Sequence, residues 1–120
     1  MGSPDDLTNF IMSSFRSIWA LELLLLLKRE ATAIASEDLV AHMRSSSSVV
    51  ENAQRELVSA GLAIVEGNAV RYMPVSQKVA SLVDQAEELY SVSPDRVRRL
   101  IVASSNPGLV AFSSAFRLKD

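Results

Sequence analysis

The stretch Ser36–Pro74, SEDLVAHMRSSSSVVENAQRELVSAGLAIVEGNAVRYMP, changes its hydrophobic period as it runs. Ser36 suits a helix N-cap, because its hydroxyl can accept from a free backbone N–H of the first turn. Leu39, Val40 and Met43 follow at helical spacing and give Glu37–Arg44 one apolar face. Ser45–Ser48 interrupts that pattern and offers a second N-cap. Val49, Val50, Ala53, Leu57 and Ala60 then recur at helical steps, and Gly61 supplies a C-terminal stop. Leu62–Val65 and Ala69–Met73 read as strands. The pair between them, Gly67-Asn68, suits a two-residue hairpin turn with positive φ.

Helix, turn, helix and hairpin in that order describe a winged helix-turn-helix. The segment Ser36–Tyr72 resembles the winged-helix transcriptional regulators of bacteria, most closely the MarR and ArsR groups. The residues that carry the resemblance are Ser46, Ser48 and Val50 at the start of the second helix. At its end come Leu57, Ala60, Gly61 and Leu62, with Arg71 and Tyr72 beyond the hairpin. The resemblance implies a mainly α fold with a short β-hairpin wing and additional N- and C-terminal helices. It also implies a dimer that places two recognition helices on an inverted repeat of double-stranded DNA.

The chain has 120 residues, 48% hydrophobic and 22% charged, which suits one domain with a folded core. Residues 1–6 read as a disordered tail and 7–120 as a single winged-helix domain. Within it, 36–74 forms the helix-turn-helix and wing, while 7–30 and 76–118 supply packing and dimerisation helices. The absence of cysteine removes disulfides, thiolate metal sites and cysteine nucleophiles, and the one histidine, His42, cannot build a zinc cluster. No metal or cofactor is expected. The polar, acidic start Met1-Gly2-Ser3-Pro4-Asp5-Asp6 does not read as a signal peptide. The apolar run Ile18–Leu27 is about half the length of a membrane span. A cytoplasmic chain with no membrane association is expected.

From Asp5 or Thr8 to about Arg29 the sequence reads as one helix, apolar almost all round. A helix of that kind needs cover on more than one side, and a partner subunit is expected to provide part of it. Ala31–Ala35 is expected to add a short third strand, with Ile34 pointing into the core. Ser76 caps a helix Gln77–Tyr90 whose Asp84, Glu87 and Glu88 face water. Ser93-Pro94-Asp95 starts another helix, and Leu109–Leu118 carries Phe112 and Phe116 at a spacing that suits a last short helix.

If the helix that begins at Ser46 enters a major groove, Ser46, Ser47 and Ser48 suit phosphate oxygens. Asn52 and Arg55 are placed to read bases, with Arg44 and Arg71 holding phosphates. Glu51 and Glu56 make this helix net acidic, the wing is short, and the chain carries a net charge of −2. Those features suit a different class, an interaction adaptor on the same fold that contacts a protein instead of DNA. From Ser93 onward five cations, Arg96, Arg98, Arg99, Arg117 and Lys119, face two carboxylates, which leaves the rest of the chain at −5. An ion-pair surface against Asp84, Glu87 and Glu88 is the expected use of that asymmetry. Nothing suggests catalysis: there is no Gly-x-Ser-x-Gly, no phosphate-binding glycine loop and no defensible carboxylate pair.

Overall fold

The structure, a computed structural model, describes residues 4–104. Six helices and a small sheet follow one another as α1 (Pro4–Ser14), α2 (Ile18–Glu30), β1 (Ile34–Ala35), α3 (Ser36–Met43), α4 (Ser47–Ser59), β2 (Ala63–Glu66), β3 (Ala69–Tyr72), α5 (Gln77–Val92) and α6 (Pro94–Ser104). The fold is mainly α, a helix-turn-helix with a β-hairpin wing and helices added at both ends. The expected final element Leu109–Leu118, with Phe112, Phe116, Arg117 and Lys119, lies outside the described residues.

The helix expected from Asp5 or Thr8 to Arg29 is two helices, bent by 104° at Phe15-Arg16-Ser17. Ser17 causes the break: it takes an extended backbone, and its Oγ accepts the Ala20 N–H at 3.2 Å, which starts α2 afresh. Apolar spacing runs across the corner unbroken, so periodicity alone does not reveal it. α1 begins at Pro4, inside the stretch read as a disordered tail.

Leu21, Leu23, Leu24, Leu26 and Leu27 are all buried within the one chain, since α4, β3 and α6 pack around α2. These five leucines are covered by the chain itself, while Trp19 on the same helix stays 38% exposed. Among the described residues no single helix is long and apolar enough to cross a membrane.

Ser36 does not cap α3. The N-cap is Ala35, and the Ser36 hydroxyl instead donates to the Asn68 carbonyl at 3.3 Å and accepts from Gln54 Nε2 at 3.0 Å. That hydroxyl ties α3 to the wing and, through Gln54, to α4. The strands pair antiparallel in the order β1-β3-β2, with Ile34 opposite Val70 and Glu66 opposite Ala69 across the two-residue turn. Gly67 supplies the positive φ of that turn, at +65°. Ile34 packs against the core as expected. Ser46 and Ser76 cap α4 and α5 by accepting from Val49 and Val79 N–H at 3.3 and 3.2 Å.

Asp84 and Glu87 do not simply face water. Lys28 of α2 reaches both, at 3.3 and 2.7 Å, and Arg98 pairs with Asp95 in its own helix at 3.3 Å. The ion-pair surface expected of the C-terminal cations is thus made by Lys28. The hydrogen bond that Lys28 donates to Glu87 raises the Lys28 pKa above its usual 10.5, against a smaller lowering by burial. Tyr72 and Tyr90 are also raised above 10.0, chiefly because burial disfavours their charged forms. All three groups hold their protons more tightly folded than unfolded. Their contribution is complete below pH 10 and is lost as pH rises through the folded values. Urea midpoints measured from pH 7 to 11.5 should stay level and then fall above about pH 10, and Lys28→Met should shrink that fall.

Candidate nucleic-acid interface

The turn between α3 and α4 needs a left-handed residue, and Arg44 occupies it at φ +52°. A non-glycine residue there costs about 1 kcal/mol. The turn is closed by N–H bonds from Arg44 to Ala41 O and from Ser45 to Val40 O, both at 3.4 Å. Arg44 is exposed beside the start of α4.

At that start the Ser46 hydroxyl is already in use, accepting from Val49 N–H and sharing a 3.2 Å bond with Ser48 Oγ. Ser46, Ser47 and Ser48 are all exposed. The first amides of a helix have no intrahelical acceptor, so those of Ser47 and Ser48 are available to an anion.

Val50, Ala53 and Leu57 bury one side of α4 in the core, which leaves Glu51, Asn52 and Arg55 exposed on the other. Arg55 Nη2 donates to Asn52 Oδ1 at 2.9 Å. The structure brings these two expected base readers together as a pair. While the pair holds, one of the two lone pairs of Asn52 Oδ1 is taken, so a bidentate grip on adenine shares that oxygen with Arg55.

Arg71 is not grouped with them. It sits on β3, and its guanidinium lies 3.6 Å from the Glu66 carboxylate across the hairpin. An exposed pair of this kind is worth at most about 1 kcal/mol, yet Glu66 also repels a phosphate approaching Arg71. The expected role of Arg71 as a phosphate holder is weakened accordingly.

Three polar contributors were not singled out in the sequence. Glu56 accepts from Arg16 N–H at 2.9 Å and from Ser17 Oγ at 3.4 Å, which holds α4 against the α1–α2 corner. Ser104 Oγ donates to Phe15 O at 3.1 Å and ties α6 to the same corner. Tyr90 donates to Glu22 with Arg98 over its ring at 5.7 Å, linking α2, α5 and α6. The only available signal was that Glu56 falls at the edge of the apolar stripe of α4. Its partners lie about 40 residues away, beyond the reach of any local pattern.

Between α2 and the C-terminal helices lies an open pocket of about 410 Å³, where Trp19, Leu26, Met43 and Tyr90 meet Glu22, Arg29 and Arg98. His42 is exposed at its rim. Among the described residues no group of three or more His, Cys, Asp or Glu is placed to hold a metal ion. Compared with protein families, with curated proteins and with solved structures, the chain matches none.

Proposed function

We propose that this chain is a DNA-binding transcriptional regulator that reads duplex DNA with α4. The observation that carries the reading is the two-sided character of that helix. One face is locked into the core, while Ser47, Ser48, Asn52 and Arg55 stand exposed, with Arg44 at the turn before them. In this reading two copies present their α4 helices to the two halves of an inverted repeat. The pocket beside Trp19 is where an effector would lie, and the chain acts without catalysis, in the cytoplasm.

The test is fluorescence anisotropy with duplex DNA across a salt series. Two or three phosphate contacts give a log–log slope of about −2 to −3, so affinity should fall roughly tenfold or more between 50 and 200 mM salt. On a selected operator, Arg55→Ala should cost about 1–3 kcal/mol of discrimination at one base position.

A second reading, the interaction adaptor, is favoured by one specific feature. Val58 and Val65 are 40% and 56% exposed and share an apolar notch of about 350 Å³ on the flank of α4. No detectable binding to duplex even at low salt would favour the adaptor over the regulator.

A further inference from the structure

A second polar notch, of about 350 Å³, lies where the end of α1 meets the C-terminal half of α4. Its walls bring Arg16 and Arg55 together, with Ser13 and Ser59 also in the lining. Both arginines are exposed, and neither forms an ion pair with the one carboxylate in the wall, Glu56. That carboxylate accepts from the Arg16 N–H and the Ser17 hydroxyl, and its single negative charge is outweighed by the two guanidinium charges in the wall. It therefore anchors the backbone of Arg16 while leaving the guanidinium of Arg16 to the notch.

We propose that Arg16 is a phosphate-contacting residue, and that the notch it forms with Arg55 takes a backbone phosphate of the duplex beside the segment read by α4. This rests on the DNA-binding reading and extends it to a residue on a different helix. Arg55 joins the two parts of the surface, since it also pairs with Asn52 on the exposed face of α4. A guanidinium fork matches phosphate oxygens, and the Ser59 hydroxyl adds a neutral donor. An arginine held at a fixed corner also loses less freedom on binding than one on a mobile tail.

The structural bond at this corner is made by the backbone N–H of Arg16, so the side chain can be removed without touching the clamp. Arg16→Ala should keep the wild-type melting curve. It should weaken binding to operator and to random duplex alike, by roughly five- to tenfold near 0.1 M salt, and reduce the salt slope by about 0.9 for each copy bound. Arg16→Lys should recover most of the loss, because a point charge still meets a phosphate. Wild-type binding with an unchanged affinity and slope for Arg16→Ala overturns the contact and leaves the DNA-binding reading standing. A wild-type chain that fails to bind duplex at any salt concentration overturns both.

Discussion

Leu24→Ala should lower the unfolding free energy by about 3–4 kcal/mol, the largest effect expected of a single truncation here. Leu24 is fully buried on α2, the helix on which α4, β3 and α6 all pack. Removing its outer carbons forfeits transfer free energy and leaves a cavity. Neighbours on several rigid elements cannot all move in to fill that cavity. Urea denaturation should show a lower midpoint at an unchanged m-value. A loss below about 1 kcal/mol would mean that α2 is not the covered centre of the fold.

The second large effect lies at the end of α4. Gly61 takes φ +75°, and a Cβ placed there would lie 2.8 Å from Val75 Cγ1 and 3.3 Å from Cγ2. The Val75 backbone is held there, because its N–H donates to the Gly61 carbonyl at 2.9 Å, so relief must come from rotation of its exposed side chain. Gly61→Val combines a left-handed β-branched residue with that clash and should cost about 3 kcal/mol. The two causes separate in a double-mutant cycle with Val75→Ala, which should restore about 1 kcal/mol by removing the contact and leaving the backbone penalty. Gly67 provides the comparison. Its φ is +65° with nothing near its missing Cβ, so Gly67→Ala should show the conformational cost alone, about 1 kcal/mol. Equal losses for the Gly61 single and double variants would assign the whole effect to the backbone.

These two positions also show what was legible in the chain. Gly61 follows an apolar run at helical spacing and the hairpin pair Gly67-Asn68 follows it closely, so stop and turn are local signals read from neighbouring residues. The caps at Ser46 and Ser76 and the third strand at Ile34 were legible for the same reason. Ser36 was not, although its residue type favours a cap. Asn68 and Gln54 offered its hydroxyl better-placed partners, and both are distant in sequence. The α1–α2 corner escaped notice because Leu7, Ile11, Phe15 and Ile18 continue at helical spacing through a break made by one serine hydroxyl.

The candidate site divides along the same line. Local pattern placed the start of α4, its exposed face and the arginine at the turn before it, because helical period and capping are properties of adjacent residues. Which cations remain available was decided by tertiary structure. Arg71 faces Glu66, Arg55 meets Asn52, Lys28 takes up Asp84 and Glu87, and Arg16 joins Arg55 across a notch. From β1 to α6 the sequence by itself determined the order of helices and strands, through periodicities that span only a few residues. The tertiary structure alone decided how α2 is covered and which charges meet, because Coulomb attraction and close packing depend on distance in space, which the folded chain sets between residues far apart in sequence.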